Sequence, residues 1–421
     1  MHAPARRATV LLVVAAAATG RGLPVAAAPK RIRFLYSDTG GGHRASALAL
    51  QGALQDLYPE EIECDMVDAF VEAGRWPFCE YPKIYTQLAA VPWLWKLVAF
   101  DFGATPFGIA FNDWIMDVVC RNEFRRLLEA SPKPDLVVSV HPLLNRVPLL
   151  ALEDADGGGS RTTPFATVVT DLGSAHPSWF DREADRCFVP SDVLRSLAAS
   201  RGLTEAQLEQ YGLPIRPAFG RGGHRTKDEW RAEIGLQTGL PTVLLVGGGD
   251  GMGGLAAFAQ AVGRRLGEEA DPGRDEGQPS TQMVVVCGRN EQAVATLEAT
   301  AWSPNVHVCV RGFVTNMDEH MAAADLLVTK AGPGTIAEAS ATGLPCILNS
   351  FLPGQEEGNV DFVRDSGFGE YRDAPEEVAH LVVEYLSDPP RLEEMSRAAL
   401  AAGRPEATAN IAKGLASLVL D

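Results

Sequence analysis

Short apolar runs alternate with amphipathic, helix-like stretches along the chain from residue 31 onward. One series of apolar runs predicts the strands of a first domain, at residues 32–37, 62–67, 135–140, 164–170 and 186–189. A second series predicts the strands of another domain, at residues 242–246, 282–287, 306–310, 325–329 and 345–349. Three helical segments from about residue 375 close the chain. This alternation predicts parallel sheets that are covered by helices on both faces.

The domain boundary is predicted at residues 212–223, which are rich in Gly, Pro and Arg. We expect an α/β protein of two Rossmann-like domains facing a cleft, with ligands at the carboxyl ends of the strands. The predicted domains are 31–220 and 221–390, and the helices of 391–421 are expected to pack back towards the first domain.

The N-terminal residues 1–30 differ from the rest, because they contain four Arg or Lys residues and no acidic residue. Their apolar run, residues 10–18, is too short to span a bilayer. The composition indicates a targeting segment: a secretory signal, the first part of a bipartite organelle signal, or a shortened transit peptide. A disordered start is the alternative, and the segment is excluded from the predicted fold.

Charge and cysteine content restrict the partners. The net charge of −17 argues against nucleic acid and against a purely electrostatic grip on anionic lipid. The seven cysteines show no Cys-x-x-Cys pair or zinc spacing, so we expect buried thiols in a reducing compartment.

The first strand runs into three glycines, residues 40–42, followed by His43 at the predicted start of a helix. Because glycine lacks a Cβ atom, this loop can approach a ligand closely, and the N–H groups of the helix start can hold an anion or a reacting oxygen. Two interpretations of His43 stay open here: a catalytic residue, or a polar loop residue without a chemical role.

Two further glycine-rich turns follow strands of the second domain. The turn at 247–254 is not a strict Gly-x-Gly-x-x-Gly fingerprint, so it indicates either a nucleotide site or a tight turn. In the turn at 330–339, Gly332, Gly334 and Thr335 can present hydrogen-bond donors to a pyrophosphate. Glu338 fits either an acceptor for ribose hydroxyls or a first-turn acid favoured by the helix dipole.

Two other stretches have a distinctive composition. The loop 354–359 contains Gln355 and Glu356, whose bidentate groups suit sugar hydroxyls, although a solvated loop has the same composition. The stretch 74–111 is dense in aromatic residues and has little helical periodicity. It is interpreted either as buried core or as a mobile loop that dips into a lipid interface.

Seven blocks of sequence, in order, carry a family resemblance. They are SDTGGGHRASA (37–47), VSVHPLLNRVPL (138–149), TDLGSAHPSWF (170–180), YGLPIRPAF (211–219), GGGDGMGGL (247–255), KAGPGTIAEA (330–339) and GLPCILNSFLPGQEEGNV (343–360). The chain resembles the monogalactosyldiacylglycerol synthases, a plant-type branch of inverting glycosyltransferases that also includes the peptidoglycan N-acetylglucosaminyltransferases. The resemblance covers nearly the whole chain after about residue 31 and implies a GT-B fold.

This resemblance implies roles for single residues. His43 matches the general base that takes the proton from the lipid hydroxyl. The implied donor-binding positions are Gly42, Arg216, Pro217, Gly249, Gly288, Phe313, Gly332, Pro333, Gly334, Thr335, Glu338, Gln355, Glu356 and Asn359. The implied acceptor or lipid positions are Pro77, His141, His176 and Trp179. No metal or other cofactor is expected, since helix N-termini and Arg216 would stabilise the departing diphosphate.

The implied reaction moves galactose from UDP-galactose to the free hydroxyl of 1,2-diacylglycerol with inversion, making galactolipid for photosynthetic membranes. A glucosyl-diacylglycerol synthase using UDP-glucose and a non-catalytic lipid- or nucleotide-binding homologue are the alternatives. We expect a peripheral protein of a plastid membrane, with anionic-lipid activation and a homodimer left open. Asp181 stands where plant members often carry a basic residue, which would weaken an anionic-lipid contact.

Overall fold

A computed structural model describes residues 28–159, 161–220, 225–247, 254–269 and 278–420. It contains two six-stranded sheets, and every strand pairing in them is parallel. The first sheet consists of β1 (Lys30–Tyr36), β2 (Ile62–Asp68), β3 (Leu136–Ser139), β4 (Phe165–Val168), β5 (Arg186–Val189) and β6 (Leu208–Gln210). The second consists of β7 (Thr242–Val246), β8 (Thr281–Val286), β9 (Val306–Arg311), β10 (Leu326–Thr329), β11 (Cys346–Leu348) and β12 (Gly369–Tyr371).

Helices connect the strands of each sheet. Those of the first half are α1 (Gly42–Leu57), α2 (Ala69–Ala73), α3 (Tyr81–Ala89), α4 (Pro92–Trp95), α5 (Pro106–Glu129), α6 (Arg146–Ala155) and α7 (Asp192–Ser200). Those of the second half are α8 (Lys227–Glu233), α9 (Leu255–Glu268), α10 (Glu291–Glu298), α11 (Met317–Ala323), α12 (Pro333–Thr342), α13 (Glu357–Asp365), α14 (Pro375–Leu386), α15 (Pro389–Ala402) and α16 (Ala407–Leu420). The π-helical segment Lys96–Phe102 follows α4 directly. The predicted two-domain α/β architecture is confirmed.

The order of the strands in each sheet indicates where ligands are expected to bind. The first sheet has the order β2-β1-β3-β4-β5-β6, and the second has the order β12-β11-β10-β7-β8-β9. The direction of winding reverses between β1 and β3 in the first sheet and between β7 and β10 in the second. In open parallel sheets ligands bind at the carboxyl ends of the strands beside such a reversal. The loops that follow these four strands are therefore the first places to look for a site.

The core lies on both faces of each sheet, because the strands are apolar at successive positions. Phe34 and Leu35, adjacent in β1, are both fully buried, and they belong to clusters on opposite faces of the first sheet. The second sheet behaves in the same way, since Leu244 and Leu245 of β7 pack into two different clusters. Burial of both faces is typical of parallel sheets and explains why these strands have continuous apolar runs.

The aromatic stretch 74–111 differs from its prediction, because most of it is helical. It contains α3, α4, the π-helical segment and the beginning of α5, which starts at Pro106. Thr105 caps α5 by accepting a hydrogen bond from the N–H of Gly108. Large aromatic side chains on the solvent side of α5 hide its helical period in the sequence.

The C-terminal helices divide between the two halves, which corrects the prediction for 391–421. Helix α15 packs on α12 and α14 of the second half. Only α16 crosses back, and its Ile411 and Leu415 share a core cluster with Ile32 and Leu50. The N-terminal domain is therefore completed by the last helix of the chain.

Other differences are smaller. The predicted targeting segment lies outside the described residues up to residue 27, and Lys30 already belongs to β1. The strands β6 and β12 have three residues each, which is too short for a periodicity signal. All seven cysteines are free; five are buried as expected, whereas Cys64 and Cys79 are partly exposed. Within the part of the chain that is described, no helix is long and apolar enough to cross a membrane.

Candidate active site

His43 lies at the reversal point of the first sheet, in the first turn of α1. The turn from β1 into this helix passes through Gly40 and Gly41, whose φ angles are +70° and +77°. A side chain is strained in that backbone region, so glycine allows the chain to enter the helix within a few residues. The geometry carries the imidazole of His43 inward, where it is 9% exposed.

The His43 ring is held by the neighbouring strand ends. Its Nδ1 atom lies 2.8 Å from the Oγ1 atom of Thr170, a residue that closely follows β4. The ring also hydrogen-bonds the backbone carbonyl of Val140, which follows β3. Burial lowers the pKa of His43 to about 4, because imidazolium is poorly solvated there. The ring is therefore neutral at neutral pH. A neutral ring that donates one N–H keeps a lone pair on its other nitrogen, as a general base requires.

A second histidine, His141, follows β3 and packs edge-on against His43 with ring centroids 4.7 Å apart. Its Nδ1 atom accepts a hydrogen bond from the N–H of Leu143, which fixes the ring. Burial, and then the proximity of His43, hold the pKa of His141 well below its usual range. The two rings thus form an uncharged pair at the carboxyl ends of β1 and β3.

An apolar cavity opens beside this histidine pair. Its walls come from the aromatic stretch and from loops of the first sheet, with Tyr81, Leu88, Val98, Phe100, Ile109 and Leu143 among the lining residues. Thr39, His43, Asp171 and Gln355 are among its polar lining residues. A mainly apolar cavity with a few polar groups suits an amphiphile whose hydroxyl group reaches His43.

The outer surface of this region is also apolar. The rings of Phe102, Phe107, Phe111 and Trp114 contact one another in sequence, with centroids 6.1–6.2 Å apart, and all four are exposed. We call these four residues the aromatic rim. Helix α5 carries three of them, and its Ile109 lines the apolar cavity. The rim and the cavity are therefore parts of one structural unit.

A second, more polar cleft runs between the two halves of the molecule. On the N-terminal side it is lined by Gly40, Gly41 and Arg44, and on the C-terminal side by Arg289, Phe313 and Glu338. Arg216, in the connection between the halves, also lines it, and its guanidinium group lies 4.0 Å from the Glu338 carboxylate. Burial raises the pKa of Glu338 to about 7, and Arg216 opposes this shift.

The turn after β10 lies at the reversal point of the second sheet and begins α12. Pro333 occupies the first helical turn, where its missing N–H costs nothing. A Cβ atom placed on Gly332 would lie 3.6 Å from the Nζ atom of Lys330, so this ammonium group lies over the turn. Lys330 also forms an ion pair with Glu356. Helix dipole and ammonium together make this turn attractive to a diphosphate.

The two halves meet closely at one point beside the cavity. The N–H of Gly173 donates to Asn359 Oδ1 at 2.7 Å, and the hydroxyl of Ser174 donates to the carbonyl of Gln355 at 2.8 Å. A Cβ atom on Gly173 would lie 2.0 Å from the carbonyl oxygen of Gly358, so only glycine permits this approach. The segment 170–174 thus touches both His43 and the loop that holds Gln355.

Two family models and several curated proteins match most of this chain. A family described as monogalactosyldiacylglycerol (MGDG) synthase matches residues 43–215, and the glycosyltransferase family 28 C-terminal domain matches residues 242–411. The chloroplastic monogalactosyldiacylglycerol synthase of Spinacia oleracea is 40% identical over 394 residues, which are 93% of this chain and 73% of the spinach protein. Monogalactosyldiacylglycerol synthase 1 of Arabidopsis thaliana is 38% identical over 93% of this chain and 71% of its own length.

The chain belongs to the monogalactosyldiacylglycerol synthase family. Solved structures agree on the fold. Acinetobacter baumannii MurG superposes with a TM-score of 0.57 at 17% identity, covering 92% of this chain and all of MurG. Anabaena Alr3699/HepE in complex with UDP-glucose superposes with a TM-score of 0.52 at 13% identity, covering 92% of this chain and 98% of HepE. At these identities the likeness concerns the GT-B fold alone.

The structure of this synthase-family chain brings many predicted positions together. His43, His141, His176 and Gln355 line the apolar cavity, and Arg216, Pro217, Phe313 and Glu338 line the cleft between the halves. Gly42 starts α1, Gly288 follows β8, and Gly332, Pro333, Gly334 and Thr335 form the turn into α12. Gly249 lies outside the described residues. Their roles in binding stay predictions.

Three of the predicted site residues, Glu356, Asn359 and Trp179, have side chains that are already bonded to other parts of the protein. Glu356 is 4% exposed, and its carboxylate is already bound by Lys330 and the N–H of Leu352. Asn359 bridges the halves, because its side chain accepts from Gly173 and donates to the carbonyl of Ala331. Both side chains therefore already have protein partners, and their contacts with a sugar or a nucleotide stay predictions. The third is Trp179, on the acceptor side.

The acceptor-side predictions divide in the same way. His176 lines the cavity, and its ring hydrogen-bonds the carbonyl of Ala99 in the π-helical segment. Burial lowers the pKa of His176 to about 4. Trp179 is fully buried, so its ring cannot reach a lipid surface, and its indole N–H donates to Asp171. Pro77 is not among the residues that line the apolar cavity.

Sequence reasoning missed Lys330 and the segment 170–174 as site residues. The signal for both was present, since TDLGS opens one of the shared blocks and Lys330 opens another. The sequence could not show which residues are close in space. Asp171 and Gln355 are 184 positions apart and meet only through the packing of the two halves.

Proposed function

We propose that this enzyme transfers galactose from UDP-galactose to the free hydroxyl of 1,2-diacylglycerol, with inversion at the anomeric carbon. The observation that carries the proposal is the place of His43. Its neutral ring lines the apolar cavity, and its chain neighbours Gly41 and Arg44 line the cleft between the two Rossmann-like halves. A base in this place can take the proton of an amphiphile's hydroxyl group while a polar donor lies in the cleft. The names of the relatives support galactose and diacylglycerol as the two substrates.

The proposed reaction is a single displacement. His43 accepts the proton of the diacylglycerol hydroxyl, and that oxygen forms a bond to the anomeric carbon while the bond from carbon to the β-phosphate oxygen breaks. UDP leaves with the electron pair of that bond. The start of α12, Lys330 and Arg216 stabilise the growing negative charge on the diphosphate. That no metal takes part in this charge stabilisation is also part of the proposal.

The aromatic rim supports peripheral binding to a membrane. Four contacting aromatic rings are exposed, three of them on the helix whose Ile109 lines the cavity, and an aqueous surface gives them no favourable partner. Insertion of the rim into the interface would bring the cavity to the level of the lipid glycerol. The relatives are named chloroplastic, and we propose a plastid membrane as the location.

The substrate assay uses purified protein, diacylglycerol vesicles and radiolabelled UDP-galactose or UDP-glucose in parallel. Galactolipid formed at least about tenfold faster than glucolipid is expected, since a pocket that reads one hydroxyl separates sugars by a few kcal/mol. Glucose transfer without galactose transfer would identify a glucosyltransferase instead. Nucleotide binding without any transfer would identify a non-catalytic homologue.

Two finer proposals use the same preparation. Adding anionic phospholipid to the vesicles tests lipid activation, for which we expect a small effect because Asp181 lies beside Asp113 near the cavity. Asp181 contributes, after burial, to raising the pKa of Asp113 to about 6, while Arg146 lies 3.6 Å from Asp181. Light scattering of the same sample decides between monomer and homodimer.

A further inference from the structure

Asp171 is a buried carboxyl group at the boundary of the two halves, and the proposed chemistry does not use it directly. It follows β4, it is 3% exposed, and its Oδ2 atom accepts a hydrogen bond of 2.6 Å from the indole N–H of Trp179. The backbone N–H of His176 and the side chain of Gln355 also hydrogen-bond this carboxyl group. Three converging donors favour the carboxylate and oppose burial, which raises the pKa of Asp171 to about 7.

Gln355 is the group that Asp171 holds across the boundary. Its backbone carbonyl accepts from the hydroxyl of Ser174, so both ends of the residue are tied to the N-terminal half. Its side-chain Oε1 atom is buried and has no hydrogen-bond partner among the described residues, and the residue lines the cavity together with His43. A buried amide oxygen without a partner is costly unless a ligand donates to it.

The hydroxyl of Thr39 is a second polar group without a hydrogen-bond partner among the described residues. It is buried, and the residue lines the same cavity. Two residues of one cavity thus carry buried polar atoms without a protein partner, and a ligand with several hydroxyl groups would complete them. The apolar walls cannot do so.

We propose that Asp171 is a positioning residue that sets which end of the Gln355 amide faces the cavity, so that Oε1 accepts from a hydroxyl of the donor hexose. The two ends of an amide have nearly the same shape, and a neighbouring group must choose between them. A carboxylate accepts the N–H side and leaves the oxygen turned to the ligand. This inference rests on the proposed function, since it deepens the recognition of the sugar.

The substitution Asp171→Asn tests this orientation. Asparagine offers an NH2 group to Gln355, so the amide is expected to turn round and present its own NH2 group to the sugar. The value of kcat/KM for UDP-galactose should fall about ten- to a hundredfold, the usual effect of a mispaired buried group. The dissociation constant of UDP, which lacks the sugar, should change by less than about twofold.

The double variant Asp171→Asn with Gln355→Glu is the decisive arm. Here the asparagine introduced at position 171 donates to one carboxylate oxygen of the new glutamate side chain, and the other oxygen again faces the cavity as an acceptor. The net charge equals that of the wild type. We expect kcat/KM at least about tenfold above that of either single variant, a coupling that separate structural damage does not produce.

The outcomes separate this inference from the proposed function. Wild-type protein that transfers no hexose would remove the proposed function. Wild-type transfer with an Asp171→Asn variant of normal kcat/KM, or a double variant no better than the single ones, would overturn the role of Asp171 alone. Melting temperatures of all four proteins show whether a loss reflects unfolding, and the rescue by the double variant stays informative even if one single variant is unstable.

Discussion

The turn after β1 and the turn after β10 occupy equivalent places, at the reversal points of two similar sheets, but they present different chemistry. In the first, two glycines with positive φ deliver a buried side chain, His43, to the start of a helix. In the second, Gly332 has an ordinary φ of −70°, and the helix start offers backbone N–H groups beneath the ammonium group of Lys330. One fold thus supplies a proton acceptor from one half and an anion site from the other.

Removing the imidazole tests this division most strongly. For His43→Ala we expect kcat to fall about 10²- to 10⁴-fold, because a positioned base contributes that much, while UDP affinity changes by less than about twofold. Turnover with diacylglycerol and titration calorimetry with UDP measure the two quantities. His380→Ala, at an exposed position of α14, is the matched control. Loss of UDP binding in the His43 variant would contradict the assignment of the base to the first half and of the diphosphate site to the second.

Separating the halves should have the next largest effect. In Gly173→Ala the new Cβ atom would lie 2.0 Å from the carbonyl oxygen of Gly358, so the contact must open. We expect kcat/KM about ten- to a hundredfold lower and a reduced melting temperature, as for other overpacked contacts. Gly159→Ala is the control, because nothing lies within 4 Å of a Cβ atom at that position. Unchanged kinetics in Gly173→Ala would mean that the contact is not needed for catalysis.

The anion site is tested by Lys330→Met. The variant loses the ammonium group over the α12 turn and removes the cation that pairs with Glu356. We expect KM for UDP-galactose to rise about tenfold, in line with the loss of one charge-assisted hydrogen bond. Lys227→Met removes a similar ion pair, with Asp325, away from the cleft and should leave KM unchanged. An equal effect of both variants would indicate general destabilisation.

The smallest expected change is in the titration of His43. Burial disfavours the charged ring, so its pKa is lowered to about 4 and the ring stays neutral as the pH falls from 8 to 5. NMR of protein with labelled histidine, assigned with His43→Ala, should show no shift of the His43 signal across that range. A titration near the usual value of about 6.5 would mean that the ring is solvated and charged in weak acid.

Much of the fold followed from the sequence, because buried parallel strands leave apolar runs such as 242–246 and glycine-rich turns mark the strand ends. The helical nature of 74–111 did not, since its aromatic residues face solvent and conceal the period. The site was predicted as an acceptor set in the first half and a donor set that lies mainly in the second half. Which side chains face inward could not be predicted, because Glu356, Asn359 and Trp179 owe their places to contacts with distant positions.

The central claim is a single displacement in which His43 takes the proton of the acceptor hydroxyl and UDP leaves from the opposite face. The configuration of the anomeric carbon in the product tests it most directly. Starting from UDP-α-galactose, the wild-type enzyme should form only the β-galactoside, seen by proton NMR as a large coupling between the first two ring protons. An α-galactoside would require two displacements or a front-side route, and would contradict the role given to His43.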